Sequence, residues 1–214
     1  MTPNIENAAV KAVETVEQYK LSPNHPDPLI VLNQLNNVYL ISHDAPEIDG
    51  LYDNQDALTL VNKTDNGLQY IVIYNRTIDQ HKLRFALARE LAHIILEHDG
   101  SSPEDVWSAE AACFAYHFLC PLPLMAKKTI INYRPIRINL SWELKEMVAF
   151  DSISEMKAQI ADERNRYNRF IGKNLRYKPE DVELINHFEF DKRTGWKNCC
   201  EVVIDGKKVG YCGE

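Results

Sequence analysis

Leu83, Leu87, Leu91, Ile94 and Ile95 recur at helical spacing across residues 80–98, and Asp99-Gly100 closes the run. This periodicity restricts the chain more than any other feature. It predicts a long helix with an apolar stripe that must be buried against other elements. After Ser101-Ser102-Pro103 a second helix is predicted over 104–119, stopped by Pro121 and Pro123.

Two such helices need a surface to pack on, and the preceding residues supply one. Leu58-Thr59-Leu60-Val61 and Tyr70-Ile71-Val72-Ile73-Tyr74 are β-rich, and the segment between them ends in Asn66-Gly67, a hairpin signal. Upstream, Val38-Tyr39-Leu40-Ile41 reads as a strand, whereas Leu29-Ile30-Val31-Leu32 fits helix or strand equally. Ala9, Val10, Val13, Val16 and Tyr19 give residues 8–19 a helical period, ended by Ser22-Pro23-Asn24. Helical patterns also cover 141–149 and 152–170. In the tail, Phe188-Glu189-Phe190, Glu201-Val202-Val203-Ile204, Asp205-Gly206 and Val209-Gly210-Tyr211 predict a terminal hairpin. The expected fold is α+β: a small antiparallel sheet packed with helices, with helices 81–98 and 104–119 as the floor of a cleft. Residues 1–170 are expected to form one domain and 171–214 a C-terminal extension.

Composition narrows the function classes. With 214 residues, 45% of them apolar and 26% charged, the chain can bury its own core and is not of a disordered or collagenous kind. Its 24 basic and 31 acidic side chains leave a net charge of −7, which disfavours generic adhesion to nucleic acid or anionic lipid. A basic run, Arg164, Arg166, Arg169, Lys173, Arg176 and Lys178, is interleaved with Tyr167, Phe170 and Tyr177. It is flanked by Asp162, Glu163, Glu180 and Asp181, and so reads as a solvated face; nucleic acid is not the expected partner. The N-terminus shows no basic and apolar leader pattern, and the most apolar stretch, 111–126, is broken by His117, Pro121 and Pro123. No membrane association is expected, and the expected location is cytoplasmic. Five cysteines in no framework spacing fit a reducing compartment. Cys113 and Cys120 fall on one helical face as small core residues, and Cys199, Cys200 and Cys212 lack the paired spacing of a zinc ribbon.

The stretch that carries chemistry is Arg84-Phe85-Ala86-Leu87-Ala88-Arg89-Glu90-Leu91-Ala92-His93, followed by Glu110-Ala111-Ala112-Cys113-Phe114-Ala115-Tyr116-His117-Phe118-Leu119-Cys120-Pro121. These two blocks resemble the ImmA/IrrE-like metallopeptidase family, whose pattern runs R-F-x-L-A-H-E-x-x-H and then E-A-x-x-F-A-x-x-L-L-x-P. With the hairpin, the resemblance covers about residues 30–160, and Phe118 for the first Leu of the second block is a mild apolar swap. It implies a zincin-like fold in which two imidazoles one helical turn apart and a carboxylate hold zinc, while a glutamate activates the metal's water. Carried over to this chain, His93 is the second ligand, Glu110 the third and Glu90 the general base.

Arg89 stands where the first imidazole belongs. A guanidinium stays protonated and has no lone pair for a cation. Two protein ligands are fewer than the three a catalytic zinc ordinarily takes. The expectation is a degenerate metallopeptidase-like protein that binds a protein partner without ordinary zinc-dependent cleavage. The alternative is an active zinc peptidase with an altered ligand set, so the cofactor is zinc if the chain is active and none otherwise. Arg89 is expected to fill the metal's space and pair with Glu110, and with Glu90 as well. His98 and His117 are the conceivable replacement ligands, although His98 lies beyond the matched turn and His117 sits seven residues past Glu110, ~10 Å along the helix. Members of the family act on transcriptional repressors of mobile elements or in stress responses, commonly beside a helix-turn-helix regulator. A regulator of that kind is the partner the resemblance implies.

Overall fold

A computed structural model describes residues 2–23, 25–45, 55–65, 67–125, 173 and 181–211. The helices expected at 141–149 and 152–170, the boundary at 170 and the basic run apart from Lys173 lie outside the described residues. Helices and small sheets both occur, so the chain is α+β, and it divides into two compact units. The first unit contains α1 (Ile5–Gln18), α2 (Pro28–Leu32), β1 (Val38–Ser42), β2 (Ala57–Thr64), β3 (Gly67–Tyr74), α3 (Gln80–Ile95) and α4 (Glu104–Leu119). The second carries β4 (Val182–Asp191), β5 (Gly195–Ile204) and β6 (Lys207–Tyr211). No described helix is long and apolar enough to cross a membrane.

In the first unit, the Asn4 side chain accepts from Asn7 N at 3.2 Å and so starts α1. Ala8, Ala9, Ala12 and Val16 are then fully buried, and these small side chains let α1 pack closely along α4. The ambiguous Leu29–Leu32 cluster is helical. Asp27 accepts from Leu29 N at 3.0 Å and Pro28 occupies the first helical turn, a combination that starts a helix and disfavours a strand. The neighbouring Pro26 carbonyl accepts from the buried Arg84 Nη2 at 2.6 Å, which ties α2 to α3.

The expected hairpin is present as β2 and β3, extended at its turn to Thr64 and Gly67. The sheet, however, is not antiparallel throughout. Its order is β1-β3-β2, with β1 parallel to β3 and β2 antiparallel to it. Ser42 and Ala57 both register with Tyr74, so β1 ends and β2 begins at the same end of the sheet. These two strands therefore run in opposite directions, and β3 inserted between them must be parallel to one. On one face, Tyr70 and Val72 are buried, and their register partners Val61 and Thr59 on β2 face α3.

The α3 stripe is largely as the spacing predicts: Leu87, Leu91 and Ile94 are buried, with Leu83 and Ile95 half-buried. Its end differs. The helix stops at Ile95, Glu97 takes a left-handed backbone (φ 55°), and Glu97 N and His98 N donate to the carbonyls of Ile94 (3.2 Å) and His93 (2.9 Å). This is the paired reversal of a Schellman cap, with glutamate where glycine is usual. Its consequence is to fold His98 back over the last turn. Glu97→Gly removes the left-handed strain at the cost of some chain entropy, and is expected to raise stability by about 0.5–1 kcal/mol in a urea melt. A loss of stability would show that the Glu97 side chain supplies more than the backbone strain costs.

The second unit is a meander, β4-β5-β6. The predicted terminal hairpin is β5–β6, turned at Asp205-Gly206, both at positive φ (50° and 70°) as a type I′ turn requires. The sequence reading marked β4 only by Phe188-Glu189-Phe190; Phe190 meets Trp196 across the strands edge to face, with centroids 5.2 Å apart. Asp191 accepts from Lys197 Nζ, Arg193 N and Thr194 N, and these bonds, that of Lys197 foremost, pull its carboxyl down to about 2.

Candidate functional site

Lys82, Phe85, Ala86, Arg89, Glu90 and His93 recur at three- and four-residue spacing and line one side of a cleft of about 790 Å³. Ala57, Thr59 and Val61 of β2 line the facing wall. His98, Asp99 and Gly100, together with Glu104 and Trp107 from the start of α4, line it as well. At Gly100 the backbone is left-handed (φ 90°), and an added Cβ would stand 3.7 Å from Trp107 Cη2. A Cβ would fit beside the indole at ordinary van der Waals distance, so it is the left-handed backbone that favours glycine here.

A chain of hydrogen bonds lies beside the cleft. His93 Nδ1 and His98 Nδ1 are 2.9 Å apart, and His98 Nε2 is 3.0 Å from Glu110 Oε2. Glu110 Oε1 also accepts from Asn4 N at the head of α1, at 2.6 Å. With the carboxylate accepting, His98 donates from Nε2, which leaves its Nδ1 lone pair for the proton on His93 Nδ1. Trp107 stacks flat on the His98 ring, with centroids 5.5 Å apart and planes 10° from parallel. His98 itself is only 6% exposed, so its two ring nitrogens must be satisfied internally, and they are. Burial is the first cause that lowers the proton affinity of both imidazoles: His93 falls to about 4, while in His98 the Glu110 carboxylate opposes the shift.

Arg89 does not pair with Glu110 or Glu90, contrary to expectation. Its Nη2 donates to Ser108 Oγ on α4 at 3.2 Å, and its buried Nε has no acceptor. The reason is the reversal after Ile95: His98 reaches Glu110 first and takes the carboxylate oxygen the guanidinium was expected to hold. Glu90 lines the cleft and is half-buried. Burial raises its carboxyl above the ordinary range, and the approach of Thr59 and the charge of Arg89 offset this only in part. The Thr59 hydroxyl makes no hydrogen bond of ordinary geometry, so its help to the ionised form is weak.

The three positions carried over from the resemblance thus lie close together, but in an arrangement of another kind. Zinc would need lone pairs converging on one point at ~2.0–2.2 Å. Here the single His98 ring stands between His93 and Glu110, with its opposite nitrogens turned to each. Among the described residues, no group of three His, Cys, Asp or Glu side chains is disposed to hold a metal ion. As arranged, the donor set does not fit zinc.

No known family model matches this chain, and no curated protein matches it. The resemblance therefore rests on the two sequence blocks alone.

Three further titratable groups belong to α4 and its C-cap: Cys113 and His117 are half-buried, and Cys120 is buried. Burial pushes the thiols up, Cys113 to about 11 and Cys120 to about 12, and holds His117 down at about 4. For His117 the unfolded chain takes up the proton first, near the ordinary value of ~6.5. The stability that a neutral His117 provides is complete above that pH and is lost as pH falls toward about 4. In urea melts at successive pH values, His117→Gln is expected to flatten the stability loss over that window. An unchanged slope would assign the acid sensitivity elsewhere.

Proposed function

We propose that this chain is a degenerate metallopeptidase-like protein of the cytoplasm, related to the ImmA/IrrE-like enzymes. Its cleft would hold a segment of a protein partner without zinc-dependent cleavage. The partner that the sequence resemblance implies is a helix-turn-helix regulator. One observation carries this reading: at the position of the first metal ligand, Arg89 is bonded to Ser108, while His98 joins His93 to Glu110. An arginine contributes no lone pair, and the two remaining carried-over ligands are each engaged by the same imidazole. Glu90 stands in the place of the general base, but without a third protein ligand to hold a metal it has no activated water to serve.

Metal analysis of protein purified without chelator, combined with mass spectrometry of a peptide mixture incubated with it, tests the reading. Peptides retained intact, with no zinc, support it. About one zinc per chain together with cut peptides overturns it. That result would favour the second reading, an altered ligand set, for which His98 is the nearest added donor.

A further inference from the structure

Arg89 has more hydrogen-bonding capacity than its surroundings use. Its one hydrogen bond, from Nη2 to Ser108, is 3.2 Å long, and its enclosed Nε has no acceptor. Among the described residues no carboxylate lies within ion-pair distance of it. A half-buried cation held by one long hydrogen bond, with no carboxylate in direct contact, is costly to fold around. The Ser108 bond nevertheless holds it in place against one wall of a cleft of about 790 Å³.

What would satisfy it follows from its neighbours. Phe85, Trp107, Leu58 and Val61 give the cleft apolar surface, and its four acids, Asp56, Glu90, Asp99 and Glu104, outnumber its two cations, Arg89 and Lys82. A phosphate dianion or a polyanionic strand would be repelled by those acids. A single carboxylate is acceptable, because one guanidinium neutralises it with a charge-assisted bond. We propose that Arg89 is the seat for one peptide carboxylate, terminal or from a side chain, flanked by apolar residues. The residue that removes the metal ligand thereby becomes the specificity element of the cleft. This inference rests on the binding reading above and names the chemistry of the segment bound.

The test uses the full chain and three mixtures of N-acetylated tripeptides varied over Ala, Val, Leu and Phe. One mixture has free C-termini, one is amidated, and one is amidated with a single internal Glu. Binding is measured by calorimetry. One or both acidic mixtures should bind about tenfold or more tighter than the neutral one, and which of them does so names the source of the carboxylate. Arg89→Met should abolish the preference. Arg89→Lys, which keeps the charge and loses the fork, should reduce it and serves if the methionine variant does not fold. Equal binding of acidic and neutral mixtures, or a preference that survives in both variants, overturns the seat while leaving the peptide-binding reading standing. No binding of any mixture overturns both.

Discussion

His98→Ala is expected to destabilise the first unit by about 3 kcal/mol, read as a lower urea midpoint with an unchanged slope. His98 closes two buried bonds at once, to His93 Nδ1 at 2.9 Å and to Glu110 Oε2 at 3.0 Å, and side-chain exposure at the latter pair is only 5% and 15%. A bond to a charged acceptor contributes roughly 1.5–3 kcal/mol and a neutral one about 1 kcal/mol. Trp107 also loses the ring stacked on it. Water entering the gap would recover part of the loss, which keeps the expectation near the lower end of the sum. Glu110 retains its bond from Asn4 N, so α1 should remain seated. His98→Gln is the informative control: an amide can still donate to Glu110 but reaches His93 poorly, and about half the loss should remain. A cost below about 1 kcal/mol in the alanine variant would show that the chain of imidazoles is incidental to the fold.

The sequence disclosed this site only as far as local spacing reaches. Arg89, Glu90 and His93 sit within one turn of a strongly periodic helix, so their common location could be read directly. His98 could not be placed that way. Had α3 continued, it would stand five residues and ~7.5 Å further along, turned to another face. Its actual place depends on a left-handed Glu97, and glutamate carries none of the signal that glycine gives at such a cap. The contact of Asn4 with Glu110 spans 106 residues of sequence, and that of Thr59 with Glu90 joins a strand to a helix; no periodicity encodes either. For the fold the division is similar. The β2–β3 hairpin and α1 follow from local pattern, and Asp27-Pro28 could have settled α2. The parallel β1–β3 pairing could not be foreseen, because it arises from inserting one strand between two others.

Arg89→His should give the chain the capacity to bind zinc, about one ion per chain by metal analysis. The substitution has two effects. It supplies an imidazole one turn before His93 on the same face of α3, and it removes a fixed positive charge that would repel a dication. The metal must then compete with His98 for His93 and Glu110. Binding at a structural zinc site is worth on the order of 10 kcal/mol, against about 3 kcal/mol for the bonds His98 would surrender, so the ion should win. Removing the competitor separates the contributions: Arg89→His combined with His98→Ala should bind zinc more tightly than Arg89→His alone. Zinc should also raise the melting temperature of both variants and leave the native chain unmoved. If neither variant takes up the ion, then the carboxylate of Glu110 and the ring of His93 cannot be brought to one point even when His98 is absent. Arg89 would then be a consequence of some other architecture rather than the substitution that disabled a metal centre.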